Sequence, residues 1–302
     1  MRFWHSPWGT VLLVLMLGTV VGIGAAAVQV DAVTRPERRS GASIDFEAVV
    51  VRVQEVEFQA VDDIRLSGWL LRGQPGQPAI VMCHDLGQNR TSLTHLAVGL
   101  WNTGFTVLLF DFRAHGESDG GRSSLGLKEK RDILGALEFL RGLDGIDQRR
   151  IGIYGVGMGA YAAVLAASDH ALFRVLVLDG LYPDVSFRLA RDVYSDWVFG
   201  VERLSFLPTG IFSVMQVSVR RQRAAEVITE LWGRDLLLLA PEGDAALTAE
   251  MKKMYEGIPE QADADGNLVI LPATQSEGLY GDGLGDYYDR VSGFFVSRLI
   301  RP

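Results

Sequence analysis

Cysteine occurs once in this sequence, at Cys83, which excludes an internal disulfide framework and any site built from several thiolates. Histidine is almost as scarce, with His5, His84, His95, His115 and His170 and none beyond. Positive charge is in deficit: 29 Lys and Arg against 37 Asp and Glu leave a net charge of −8. That is the wrong sign for a chain that coats nucleic acid, and no nucleic-acid partner is expected. Disorder is excluded as well, because 48 % of the residues are hydrophobic and only 22 % are charged. A length of 302 residues is enough for one large domain or two small ones.

Charge is missing altogether between Arg2 and Asp31. Within that gap, residues 11–30 are apolar apart from Thr19, Gln29 and three glycines. As a helix this run spans ~30 Å, the thickness of a bilayer core. Trp4 and Trp8 stand where interfacial aromatics would. Residues 1–31 are therefore expected to be a single-pass anchor in the cell membrane. The alternative is a secretory signal, since Ala25-Ala26-Ala27 offers a cleavage site, although such apolar regions usually run only about 7–15 residues. The flanking charges, Arg2 against Arg35, Arg38 and Arg39, do not fix the side on which the rest of the chain lies. Residues 32–45 are polar, contain Pro36 and Gly41, and read as a linker.

From residue 46 to 302 the pattern is that of one domain. Residues 49–53, 56–59 and 66–71 alternate with period two and read as an antiparallel start to a sheet. Short, almost wholly apolar runs follow at 79–83, 106–110, 151–154, 175–178, 236–239 and 268–271, each a candidate buried strand. Helical stretches separate them at 91–102, 127–141, 160–167 and 245–256, with a last one at 287–299. Alternation of this kind implies an α/β fold with a mostly parallel central sheet and helices on both faces. Residues 184–223 break the rhythm with Phe187, Trp197, Phe199, Phe206, Phe212 and Met215 among Arg and Ser. An insertion there would act as a lid over the strand ends, or it would add a pair of amphipathic helices to the core. Arg220, Arg221 and Arg223 fit a solvated helix face or a membrane contact.

Three loops follow the strands in order. The first is Cys83-His84-Asp85-Leu86-Gly87-Gln88-Asn89-Arg90, the second Asp111-Phe112-Arg113-Ala114-His115-Gly116-Glu117-Ser118. The third is Gly155-Val156-Gly157-Met158-Gly159-Ala160, which opens a helix. In this order and spacing the chain resembles the α/β-hydrolase superfamily, in particular its serine-aminopeptidase-like and esterase-like branch. The resemblance covers roughly residues 49–299, and the stretch from Ser123 through Gly126 and Glu129 to Asp132 fits the family's lead-in to the next helix. It implies an H-G-x-G oxyanion loop, a D-x-R-G-H-G-x-S loop and a G-x-S-x-G nucleophile elbow.

Carried across residue by residue, the resemblance implies that the chemistry is damaged. The nucleophile position holds Gly157, which has no side-chain oxygen. The acid position, in Pro241-Glu242-Gly243-Asp244, keeps Asp244. The histidine position, in Ala273-Thr274-Gln275-Ser276, holds Gln275, which is no general base near neutral pH. Leu86 and Met158 occupy the oxyanion-hole positions, and His84, Asp85 and Tyr182 would line the ligand cleft. Asp85 replaces a glycine, and a carboxylate there opposes a developing oxyanion. Glycine suits the strained elbow, so Gly157→Ser is expected to lower stability by ~1 kcal/mol.

Other readings stand beside this one. Cys83, His84 and Asp85 are the residue types of a thiol triad, but neighbours leaving a strand point apart, and Cys83 reads as a buried strand residue. His84, and His115 with Asp111 and Arg113, read as supports of their own loops. The strand, the glycine turn from Gly155 to Ala160, the helix and Asp179, 22 positions after Gly157, also fit a dinucleotide-binding unit. Asp282, Asp286 and Asp289 read as solvated loop acids, and neither a metal nor a cofactor is implied. The expectation is a membrane-anchored α/β-hydrolase-fold protein, catalytically impaired, that binds a small acyl-type ligand or a protein. The alternatives are an active esterase or peptidase with displaced residues, and dinucleotide binding.

Overall fold

The computed structural model describes residues 7–38, 53–194, 206–215, 223–258, 268–272, 274–275 and 284–300. Eight strands form one sheet in the order β1-β2-β4-β3-β5-β6-β7-β8. They are β1 (Val53–Gln59), β2 (Arg65–Leu71), β3 (Gln77–Cys83), β4 (Thr106–Phe110), β5 (Ile146–Val156), β6 (Phe173–Asp179), β7 (Asp235–Pro241) and β8 (Leu268–Leu271). β2 pairs antiparallel with both β1 and β4, and every pairing from β4 across to β8 is parallel. The expected strand at residues 49–53 lies outside the described residues except for its last position, where β1 begins.

β3, β4, β6, β7 and the second half of β5 are buried on both faces, and this is why they read as continuous apolar runs rather than alternating ones. β8, expected to be buried, lies instead at the sheet edge with Ile270 exposed. β3 sends Ala79, Val81 and Cys83 into one layer and Ile80 and Met82 into the other. The first layer is covered by α3 (Lys130–Arg141), α4 (Met158–Asp169) and α8 (Ala245–Glu256), the second by α2 (Thr94–Asn102) and α9 (Leu284–Phe295). Each fully buried leucine in these layers contributes about 1.5–3 kcal/mol. Between β6 and β7 lie α5 (Val185–Tyr194), α6 (Phe206–Met215) and the single turn α7 (Ala224–Val227). The span expected as a lid thus contains helices that share the core, with Leu189 and Phe212 buried in it. Residues 195–205 and 216–222 of that span, including Trp197, Arg220 and Arg221, lie outside the described residues.

α1 (Pro7–Thr34) is long and apolar enough to cross a membrane. It opens on proline, whose missing N–H costs nothing in a first turn. Residues 11–21 are exposed throughout, whereas Ala26, Val30 and Thr34, spaced i to i+4, are buried. The helix contacts α5 and α6. Its C-terminal end is pinned to the domain: Ser123 N donates to Thr34 O over 2.8 Å, and Arg122 pairs with Asp31. The stretch expected to be a linker begins inside this helix. The described part, 32–38, is tied down by Arg38, which donates to the carbonyls of Ser118 and Gly120.

Candidate active-site cleft

The site is built where β5 turns into α4. Gly157 occupies the turn with φ 50° and ψ −108°, a conformation that favours glycine. Its N–H donates to Asp179 O over 2.8 Å, fastening the turn to the end of β6. Gly159, one residue into the helix, lies so close to the Cys83 carbonyl that a Cβ there would overlap it. The first loop is therefore pressed against the helix N-terminus.

That contact brings in Asp85, which is 8 % exposed. Its Oδ1 accepts from Met158 N at 2.7 Å, the backbone donor that the family resemblance assigns to the oxyanion hole. A Cβ on Gly157 would overlap Oδ1 and Cγ of Asp85 and lie 2.7 Å from Oδ2. The carboxylate thus fills the space in which an elbow side chain would begin. An anion at a helix N-terminus is favourable, since unpaired N–H groups and the helix dipole converge there.

Arg188 on α5 closes over this carboxylate. Its Nη1 donates to Asp85 Oδ1 and Oδ2 at 3.1 and 3.2 Å, while Nε donates to Asp192 Oδ2 at 2.7 Å. The guanidinium lies 5.8 Å from the Tyr182 ring centroid, within cation–π range. Burial works against its charge, but Asp85 and Asp192 outweigh burial and raise its pKa. Tyr182 is held beneath by its hydroxyl, which donates to Leu125 O at 2.7 Å, and by stacking on Tyr161. The remaining cleft has a volume of about 170 Å³; Asp85, Gly157, Tyr182, Arg188, Asp244 and Leu247 are among its walls.

The three triad positions do not form a relay. Asp244 lines the cleft but caps α8, its Oδ1 accepting from Leu247 N at 3.0 Å, and its other oxygen pairs with Arg191. Gln275 turns away: its Nε2 donates to Ser92 O at 3.2 Å. Its backbone N–H donates to Asp179 Oδ2 at 2.8 Å. The same oxygen accepts from Tyr287 Oη at 2.6 Å, and Tyr287 in turn bonds Tyr154 Oη at 2.6 Å. Burial pushes both phenol pKa values well up, so these hydroxyls stay protonated. Asp179 is fully buried and committed to this chain, so it is not presented to a ribose as the dinucleotide reading requires.

The remaining expected site residues are structural. His84 is fully buried; its Nδ1 donates to Asp85 O at 2.7 Å, and its Nε2 accepts from Phe112 N at 3.0 Å. His115 is placed alike, its Nδ1 donating to Arg113 O at 2.9 Å and its Nε2 accepting from Gly87 N at 3.2 Å. Together the two rings stitch the first loop to the second. Leu86 is half-buried and does not wall the cleft. Cys83 is buried, and burial pushes its thiol well above the usual range. Asp282 lies outside the described residues, and Asp286 pairs with Arg290. Among the described residues no three His, Cys, Asp or Glu side chains gather as metal ligands would.

Sequence reasoning missed Arg188 and the Tyr154–Tyr287–Asp179 chain. A signal for the first existed: a buried carboxylate beside a helix N-terminus calls for a cation, and residues 184–223 are rich in arginine.

Comparison with known proteins agrees with this architecture. Residues 80–275, about two thirds of the chain, match the alpha/beta hydrolase family. A thiohydrolase of Aspergillus aculeatus is 32 % identical over 151 residues, 46 % of this chain and 48 % of its own. The quorum-quenching protein AidA of Acinetobacter baumannii is 34 % identical over 128 residues, 40 % of this chain and 42 % of its own. The chain thus spans about half the length, or less, of these curated relatives. A solved esterase from Pyrococcus furiosus superposes with a TM-score of 0.70 at 21 % identity, covering 89 % of this chain and 98 % of that one. At that identity the likeness concerns the fold alone. By the family match and by its strand order, this chain belongs to the α/β-hydrolase family.

Proposed function

We propose that this protein is a membrane-anchored member of the family that has given up serine-type hydrolysis and works by binding, taking a small acyl-type ligand or a protein partner at the cleft. One observation carries the reading. The Asp85 carboxylate stands in the place of the elbow side chain and already takes the Met158 N–H that would steady an oxyanion. Gly157 supplies no nucleophile, and Gln275 supplies no base. Loss of either function in a serine hydrolase costs on the order of 10⁶-fold in turnover, roughly 8 kcal/mol. Binding needs none of these groups. A cleft walled by Tyr182, Phe187 and Leu247 beside paired charges suits a ligand with an apolar body and a polar end. Similarity to the Aspergillus aculeatus thiohydrolase, and to an acyltransferase of Aspergillus calidoustus that is 35 % identical over 122 residues, favours acyl-type ligands.

The test is made on the full chain in phospholipid vesicles. A fluorophosphonate probe is expected to leave the protein unlabelled, and short-chain esters and thioesters are expected to persist. The same acyl compounds, added in non-hydrolysable form, are expected to raise the melting temperature. Stoichiometric labelling of any serine would replace the proposal with an active hydrolase using a displaced nucleophile.

A further inference from the structure

The docking of α1 sets a length problem. Residues 11–21 are exposed without a break, and from Pro7 to Val21, at about 1.5 Å per residue, the helix spans ~22 Å. A bilayer core is ~30 Å thick and takes about 20 helical residues. Counted from Trp8, such a span ends near Ala27, five or six residues past the point where the helix meets the domain. α1 contacts α5 and α6, and its buried positions, Ala26, Val30 and Thr34, all lie in its C-terminal part. Ser123, Arg122 and Arg38 fasten the C-terminal end of this stretch.

α6 has the composition for such a position. Its sequence, Phe206-Leu207-Pro208-Thr209-Gly210-Ile211-Phe212-Ser213-Val214-Met215, contains no Asp, Glu, Lys or Arg. Phe212 is buried in the core and holds the helix to the domain. Val214, on the other hand, is 89 % exposed, the most exposed large apolar side chain among the described residues. In water this arrangement leaves apolar surface uncovered; beside a membrane-crossing helix it is covered by lipid.

From this we infer that α6 lies in the bilayer interface alongside residues 22–27 of α1, with Val214 facing acyl chains. The occupant of this face is thus the lipid of the membrane in which α1 is anchored, so the inference rests on the anchor reading. It goes further in one respect: the helix pair that bears Arg188 and Val214 is seated at the membrane surface, and the cleft's cap is fixed there with it.

Site-specific fluorescence in the full chain tests this. Cys83 is fully buried, so an introduced cysteine is the reactive one in the folded protein. Val214→Cys, Val20→Cys and Val61→Cys, all at exposed positions, are labelled with an environment-sensitive dye and reconstituted in phosphatidylcholine vesicles with brominated acyl chains. The expected result is a blue-shifted, strongly quenched dye at positions 214 and 20 and an unquenched one at 61. Quenching at 20 without quenching at 214 would overturn the inference and leave the anchor standing. An unquenched dye at both would remove the anchor and the inference together. A disulfide-linked dimer of unlabelled Val214→Cys, with the dye of the labelled sample unquenched, would assign this face to a second copy of the chain and overturn the lipid assignment.

Discussion

The carboxylate of Asp85 occupies the volume into which any side chain on Gly157 would have to grow. Each residue makes sense of the other. A serine at the elbow would be driven into Asp85, and a glycine in the first loop would leave the Met158 N–H open to another acceptor. The donor that a working hydrolase keeps for a transient oxyanion here holds a permanent one. Gly157 at the elbow and Asp85 in the first loop form one structural unit.

Gly157→Ser is therefore expected to cost more than backbone strain alone. The positive φ accounts for about 1 kcal/mol, and the overlap with Asp85 adds an overpacking penalty of ~1–3 kcal/mol. The combined fall of roughly 2–4 kcal/mol is measured by urea denaturation. In a double-mutant cycle with Asp85→Gly the two costs should fall short of additive by at least ~1 kcal/mol, as those of contacting sites do. Strictly additive effects would show that the two side chains do not compete for one space.

The same competition bears on any attempt to install a serine triad. Gly157→Ser with Gln275→His is expected to stay inactive on p-nitrophenyl esters, because Asp85 still blocks the hydroxyl and holds the oxyanion donor. Adding Asp85→Gly is expected to bring turnover above that of the double variant by at least ~10-fold, a small part of the 10⁶ a full triad gives. Equal rates in double and triple variants would move the fault from Asp85 to the placement of residue 275, whose side chain now faces Ser92 O.

Much of this architecture was legible in the chain itself. Apolar runs buried on both faces announced the parallel strands, so 79–83 and 236–239 fall inside β3 and β7. The loop beginning at Cys83 and the Gly155–Ala160 turn gave the elbow, because glycines pressed against a neighbouring backbone leave a spacing signature. The route from Asp85 to Arg188 did not show, since 103 residues separate them and charge pairing across a fold has no period. Nor did Asp179 read as the residue beneath Gln275: a carboxylate at a strand end looks the same in sequence whether it faces solvent or two buried tyrosine hydroxyls. The docked end of α1 was hidden too, because Ala26 and Val30 are as apolar as their exposed neighbours.

Arg188 should act as the fastening of α5. Arg188→Ala leaves Asp85 with the Met158 N–H alone and Asp192 without its ion pair, so a loss of about 2–3 kcal/mol is expected, short of a fully buried pair. Hydrogen exchange should speed up along residues 185–194 and stay unchanged along α3. Uniform acceleration would make the pair a global support, and no change would make it a surface ornament.

The paired histidines are expected to make the fold acid-sensitive. Burial pushes the pKa of His84 well below its usual value, with His115 adding to the effect. Burial also lowers His115, against backbone and carboxylate contributions from Arg113, Glu129, Asp111 and Asp85. In each case the unfolded chain binds a proton that the folded chain refuses. Stability from these groups is therefore complete above the unfolded pKa near 6.5 and is lost as pH falls below it, by up to ~1.4 kcal/mol per unit for each histidine. Asp62, held at about 2 chiefly by its hydrogen bond from Arg113, contributes its own loss only below pH ~4. Melting temperatures of the wild type and of His84→Gln/His115→Gln, compared between pH 7 and 5, should converge as the pH falls. The difference isolates the histidines, since every other acid is common to both proteins. Parallel curves would mean that the rings take up protons in the folded state, and the two loops they join would then have to carry buried positive charge.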